Sequence, residues 1–278
     1  MTRMMMHADP QWTLRDGDHE GWQIRAERTP KWIRVRFAGV TVASSKRALL
    51  VMETQKLPVY YFPIEDVRTE FLKSSELHEE DQNVGAKNYW HVALNDQVVE
   101  DAAWSYAEPK TESSFLKGYV AFVWEKAESW LEEEEEVFVH AKDPYTRIDA
   151  IPSSRHVKVI VGGEIVAEST RPVILYETGL TSRYYLPKED VRMDLLTETD
   201  KHTRCPYKGI ASYWNVTVNG NQYTDVVWSY NDPLPEVHEI KGLVSFYNEA
   251  VDSILVDGKI WMLGSSERLP YSLISCAC

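Results

Sequence analysis

The sequence predicts a mainly β protein (β-rich α+β) made of two tandem copies of a small antiparallel sandwich or partly open barrel, each with one or two short helices. Three observations predict it. The chain repeats itself, the repeated unit alternates apolar and polar residues with a period of two, and turn-forming pairs punctuate that alternation.

Shifting the chain by 124 positions aligns residues 33–130 with residues 157–254 without a gap, and about 34 of about 98 positions are identical. Glu53-Thr54 meets Glu177-Thr178, Tyr60-Tyr61-Phe62-Pro63 meets Tyr184-Tyr185-Leu186-Pro187, and Glu65-Asp66-Val67-Arg68 meets Glu189-Asp190-Val191-Arg192. Tyr89-Trp90 meets Tyr213-Trp214, Trp104-Ser105-Tyr106 meets Trp228-Ser229-Tyr230, and Lys117-Gly118 meets Lys241-Gly242. The organisation that follows is a polar leader (1–30) with Trp12 and Trp22, a diverged first domain (31–136), a linker (137–156), a second domain (157–264) and a tail (265–278). The linker holds the turn-formers Asp143-Pro144 and Pro152-Ser153-Ser154. The run Glu132 to Glu136 reads as a solvated helix end or linker face. Two like domains commonly bury like faces, so pairing between the halves is expected.

Within a copy, Val157 to Val161, Gly162-Gly163 and Glu164 to Ala167 read as a hairpin, because glycines permit the positive φ of a primed turn. Tyr213 to Val218, Asn219-Gly220 and Asn221 to Trp228 read as a second, with the weaker Asn95-Asp96 in the first copy. Pro187 followed by Glu189 and Asp190 predicts a short helix over 188–196. Asn248 predicts another over 249–255, matched by 125–131.

The formal charge of -13 and a pI near 5.1 oppose a phosphate backbone, so no nucleic-acid partner is expected. No apolar run of membrane length appears, no signal peptide is seen, and three Cys make no disulfide framework; a cytoplasmic protein without membrane contact is expected. Cys276-Ala277-Cys278 resembles a prenylated tail but lacks a polybasic segment before it, and is read as a frayed end. The 10 Trp, 15 Tyr and 7 Phe supply buried area for a small core and equally suit the lining of a small-molecule pocket.

Arg183 to Arg192, Cys205-Pro206-Tyr207-Lys208-Gly209, Ala211-Ser212-Tyr213-Trp214 and Trp228 to Pro233 resemble the family catalogued as domain of unknown function 427. The resemblance covers nearly all of 157–254 and, more loosely, 33–130. It implies a small β-rich domain, found singly or in tandem, without an established common activity. Some catalogues attach a nucleotidyltransferase label to that family. The chain has no Gly-Ser followed by paired Asp and no Gly-rich phosphate loop to support it.

Candidate chemistry concentrates in the second copy. Cys205 lies among His202, Arg204 and Lys208, cations that favour thiolate, and the first copy has Asp81 in its place. The alternative is a small buried thiol in a turn. His202 and Cys205 lack two further ligands for a structural zinc, so no metal is expected. Glu177, Arg192 and Tyr185 persist in both copies; they form either a buried structural ion pair or a general base, an anion-holding cation and a donor. Tyr213, Trp214, Trp228 and Tyr230 form either core or an aromatic ligand wall, and His91, where the second copy has Asn215, adds a titratable group to the first domain. There is no Gly-x-Ser-x-Gly elbow and no dinucleotide-binding glycine pattern, so no cofactor is expected. Three readings stay open: a cofactor-independent enzyme performing acid/base isomerisation, cyclisation or dehydration on a hydrophobic or aromatic metabolite, a non-catalytic ligand-binding or pseudo-dimeric scaffold, and thiol chemistry at Cys205.

Overall fold

The computed structural model describes residues 22–54 and 56–261. Trp12 and the other leader residues before 22, and the tail with Cys276 and Cys278, lie outside the described residues. The chain divides into two compact units at Asp143/Pro144. The first contains β1 (Ile24–Arg28), β2 (Ile33–Phe37), β3 (Val40–Ser45), β4 (Leu49–Glu53), β5 (Val59–Pro63), β6 (Leu72–Asp81), β7 (Gly85–Leu94), β8 (Gln97–Tyr106), β9 (Tyr119–Phe122), β10 (Ser129–Glu132) and β11 (Glu135–Val137). The second contains β12 (Ile148–Pro152), β13 (Val157–Val161), β14 (Glu164–Ser169), β15 (Val173–Glu177), β16 (Arg183–Tyr185), β17 (Leu196–Cys205), β18 (Gly209–Val218), β19 (Asn221–Pro233), β20 (Val244–Phe246), β21 (Ser253–Val256) and β22 (Lys259–Trp261). All ladders are antiparallel, and the protein is mainly β.

In the first unit a seven-stranded sheet, β1-β4-β5-β9-β8-β7-β6, packs over a four-stranded one, β11-β10-β2-β3. Strand alternation explains the core between them. Leu50, Tyr60, Phe62, Val120 and Phe122 of the large sheet meet Ile33, Val35, Phe37 and Trp130 of the small one. The intervening residues Leu49, Val51, Tyr61 and Ala121 face the other way, into a second apolar cluster that Leu116 joins from a short helical turn. The large sheet is therefore apolar on both faces, and the second unit repeats the pattern with its own two clusters.

The hairpin turns form as predicted: Gly162-Gly163 joins β13 to β14 and Asn219-Gly220 joins β18 to β19, all four residues at positive φ. Other expectations are corrected. The helix over 188–196 is two 3-10 turns, Lys188–Asp190 and Met193–Leu195, interrupted where Val191 bridges Ala167. The helix over 249–255 is instead a turn running into β21, because Ile254 and Val256 alternate into the core beside β13. Its counterpart over 125–131 likewise becomes a 3-10 turn and β10. The polyglutamate run is a β10–β11 hairpin whose first member, Glu132, is buried and accepts from Tyr60 Oη at 2.7 Å and from Lys31.

The repeat also reaches further upstream than identity suggests. Within the stretch read as leader, β1 pairs with β4; within the stretch read as linker, β12 pairs with β15 in the same register. Gln23 N–H donates to Thr54 Oγ1 at 2.9 Å and Arg147 N–H to Thr178 Oγ1 at 3.0 Å, so even the entry to the strand is duplicated.

One join differs between the units. In the first, β5 and β9 pair over three residues, Tyr61↔Ala121, Phe62↔Val120 and Pro63↔Tyr119. In the second, the same place carries the isolated bridge Leu186↔Val244, and β12-β15-β16 and β17-β18-β19-β20 stand as separate sheets among the described residues. The pairing beside Tyr185 is thus shorter in the second domain, with Leu186 and Val244 exchanging both backbone hydrogen bonds at 2.7 and 2.9 Å.

Candidate functional site

The face of the second domain that carries the smaller apolar cluster gathers most of the residues singled out from sequence. Trp228 lies opposite Tyr213 on β18 and opposite Ser245 on β20. The Leu186↔Val244 bridge sets Tyr185 opposite Ser245. Tyr185, Ser245, Trp228 and Tyr213 therefore form one row across four strands, all fully buried, with Tyr230 beside them. Trp228 Nε1 donates to Tyr185 Oη at 3.0 Å, with the rings edge-on and 6.2 Å apart. Burial pushes the Tyr185 phenol far above its ordinary range, with the Lys208 charge opposing, so it remains protonated and able to donate.

Glu177 ends β15, on the same face as Val173 and Leu175. Its partner is Lys208, delivered by the turn between β17 and β18, and the two side chains are 5% and 1% exposed. That turn needs Gly209, whose φ is +104° and where a Cβ would stand 3.3 Å from the Asp232 carbonyl oxygen. Two ions removed from water are held there by each other, an arrangement that stabilises a fold weakly and loses much when one partner goes.

At the rim of the row, Arg183 Nη1 donates to Asn248 Oδ1 at 3.1 Å and to Glu249 Oε2 at 2.9 Å. Its guanidinium lies 5.6 Å from the Trp228 ring and 5.8 Å from that of Tyr247. Tyr247 in turn sits 4.4 Å from Trp228. Ser245 Oγ and Asn248 Nδ2 are buried without a hydrogen-bond partner. Ser229 Oγ shares that state, but strand parity turns it to the opposite face.

Several predicted residues stand elsewhere. Arg192 is exposed and fork-bonded to Asp194, Nε–Oδ1 at 2.8 Å and Nη2–Oδ2 at 2.6 Å, so neither the buried Glu177–Arg192 pair nor a shared site forms. Neighbours in a strand point to opposite faces, which sends Trp214 into the main core while Tyr213 joins the row; the wall of Trp214, Trp228 and Tyr230 is thereby corrected. His91 accepts from the Asp101 N–H at 3.0 Å, and Asn215 accepts from the Asp225 N–H at 2.9 Å. Both Asp residues have positive φ, so His91 and Asn215 do one job, holding a strand irregularity. Cys205 is buried and in no disulfide, which opposes the reactive-thiolate reading because a nucleophile needs access. Among the described residues no group of three or more His, Cys, Asp and Glu could hold a metal ion.

Arg183, Ser245, Tyr247 and Asn248 were not read as site residues from sequence: Arg183 entered only as part of a motif and Asn248 only as a helix cap. A signal existed in the repeat itself: the first copy has Val59, Ala121, Val123 and Trp124 at those four positions, and Val84 in place of Lys208. Five positions that are apolar in one copy carry polar groups in the other.

A groove in the first domain, lined by Trp32, Ser44, Lys46, Arg47 and Asp66, is a weaker candidate, because Arg47 is already bonded to Asp66 at 2.9 Å. No helix among the described residues is long and apolar enough to cross a membrane.

Compared with known families, residues 25–133 and again 149–257 match the family described as Domain of unknown function (DUF427). No curated protein matches the chain.

Proposed function

The chain belongs to the DUF427 family twice over, and we propose that it is a small-molecule-binding protein whose second domain carries the site, performing cofactor-independent acid/base chemistry on a hydrophobic or aromatic metabolite. One observation carries this reading. The first domain forms the corresponding strands with Val59 and Ala121, and the corresponding turn with Val84, where the second has the buried polar side chains Arg183, Ser245 and Lys208. The first domain folds with apolar residues at the positions of Arg183 and Ser245, and burying polar groups there costs stability; Lys208 takes over the counter-charge that Lys56 supplies to the equivalent acid.

The chemistry suited to the cluster is proton transfer at a carbon next to a carbonyl. The Glu177 carboxylate would take the proton, while the Lys208 ammonium and the Tyr185 phenol donate to the oxyanion that develops. Isomerisation, cyclisation and dehydration share that step. A second reading, a ligand-binding or pseudo-dimeric scaffold without turnover, is favoured by one fact: Glu177 and Lys208 already satisfy each other.

The test is ligand-dependent melting of the full chain against a metabolite library, with wild type beside Tyr185→Phe. Ligand at a hundred times its Kd stabilises the folded state by about 2.7 kcal/mol, a shift of a few degrees. The proposal expects a library member that shifts both proteins and is turned over by wild type alone. A ligand that shifts both and is never turned over moves the scaffold reading ahead. No shift from any member removes the small-molecule reading.

A further inference from the structure

We infer that Arg183, which lies over the Trp228 and Tyr247 rings, together with Ser245 beside Trp228 and Asn248 beside Arg183, forms the recognition site for the carboxylate of a flat conjugated acid, with the Glu249 carboxylate holding its place in the free protein. The inference rests on the small-molecule reading above and specifies its ligand.

The argument starts from hydrogen-bond capacity. An arginine has donors and no acceptor, so the Asn248 atom bonded to Arg183 Nη1 must be its oxygen. The amide nitrogen is then the remaining group, and it is buried without a partner. Ser245 Oγ, fully buried one strand from Trp228, is in the same state. Unpartnered buried polar atoms are rare in native structures and each calls for a reason; among the described residues Arg34 Nε and Ser229 Oγ stand alone, whereas Ser245 Oγ and Asn248 Nδ2 lie on either side of one arginine-bearing strand end. Every group named here can donate, so the complement is an acceptor with several lone pairs. A carboxylate has about four.

Charge and shape narrow the class. Arg183 is 11% exposed and bonded to Glu249 through Nη1. An incoming carboxylate replaces one carboxylate with another, so the arginine is never left bare. Trp228 is fully buried behind the guanidinium, and the partly exposed Tyr247 ring, 4.4 Å from it, is the aromatic face that suits a planar conjugated body. The sheet is joined here by an isolated bridge, where the first domain has a three-residue ladder over Ala121. The donors, the second ring and the shorter pairing occur together in one copy, and the other has Val59, Ala121, Val123 and Trp124 with the longer ladder.

The probes are 2-naphthoate and its neutral isostere 2-naphthamide, titrated calorimetrically against the full chain at pH 7. Wild type should bind naphthoate at least about tenfold more tightly than naphthamide, as charge-assisted hydrogen bonds predict. Glu249→Gln removes the resident anion and should tighten naphthoate several-fold while leaving naphthamide unchanged. Ser245→Ala, which installs the residue of the first domain, should weaken naphthoate by about 3- to 10-fold. Equal affinity for acid and amide, or a Glu249→Gln variant that binds naphthoate no better than wild type, overturns the inference while leaving a small-molecule site standing. If neither probe binds either protein, the inference fails, and the library experiment above decides separately whether the small-molecule reading fails with it.

Discussion

In the first domain the carboxylate at the end of β4, Glu53, is answered by Lys56, three residues on and half exposed, at 2.5 Å. It also accepts from Trp22 Nε1 at 2.7 Å. In the second domain the equivalent Glu177 is answered by Lys208, from a distant turn and sealed from solvent. The same acid has been kept, and the source of its counter-charge has moved. A lysine beside the acid in sequence keeps its own charge half in water over a largely covered Glu53, whereas one delivered through the sheet face takes both charges inside. Duplication therefore kept the position of the acid and varied its counter-charge and burial, and those set what a carboxylate can do.

The largest expected contrast lies in removing each lysine. Lys208→Val, which installs the residue of the first domain, strands the Glu177 charge and should cost about 3–5 kcal/mol. Lys56→Ala should cost less, about 1 kcal/mol, because Lys56 is half exposed and the two acids it bridges, Glu53 and Asp81, keep Trp22 and the N–H groups of Asn83 and Val84 as partners. Urea unfolding followed by tryptophan fluorescence measures both, and equal losses would break the comparison. Next comes exchange between the copies at Ala121 and Ser245. Ala121→Ser should cost about 1–3 kcal/mol by burying a hydroxyl in a complete ladder. Ser245→Ala should be within about 1 kcal/mol of neutral, since that hydroxyl has no partner to lose. A large loss from Ser245→Ala would mean that Ser245 supports the fold.

Thiol accessibility sharpens the comparison at the turn where Asp81 and Cys205 correspond. Asp81 accepts from the N–H groups of Asn83 and Val84 at 2.9 and 3.0 Å, a turn-capping role. With Cys276 and Cys278 replaced by serine, Cys205 should resist Ellman's reagent in the native protein and react fully in urea. Rapid native labelling would restore the thiol reading.

The smallest difference is expected in acid, where the two domains share a device. Arg47 fork-bonds Asp66 and Arg171 fork-bonds Asp190, with Ser45 and Ser169 donating to the same carboxylates at 2.6 and 2.7 Å. The arginine in each case holds the carboxyl below its ordinary 3.8. A depressed carboxyl adds stability above its unfolded value of about 3.9 and loses it as pH falls through the folded one. Asp66→Asn and Asp190→Asn should flatten acid unfolding of their own domains to a similar degree, measured by circular dichroism from pH 5 to 2. Unequal flattening would show that the shared clamp is not equivalent.

Much of this architecture was legible in the sequence, for identifiable reasons. Gly162-Gly163 and Asn219-Gly220 announce hairpins because few residues accept two successive positive φ angles. The edge strands β1 and β12 escaped notice because they share little beyond Ile24/Ile148 and Ala26/Ala150, and their charged or proline-rich flanks mimic linkers. Pro187 with two acids imitates a helix start, yet the Val191 bridge to Ala167 decides the local geometry. At the site, Glu177, Tyr185, Lys208, Tyr213, Trp228 and Tyr230 were visible as ordered motifs. Arg192 was misplaced because retention between copies cannot separate a surface clamp from a buried group. Arg183, Ser245 and Asn248 were missed for the converse reason: retained positions report the shared fold, and what distinguishes the second domain lies where the copies differ.

The most direct test of the central claim, that the ligand site belongs to the second domain, is hydrogen–deuterium exchange of the full chain with and without saturating 2-naphthoate. The account predicts added protection over 173–186 and 242–249, with none over 49–63 or 119–124. Protection over the first-domain segments, alone or to the same extent, would contradict it.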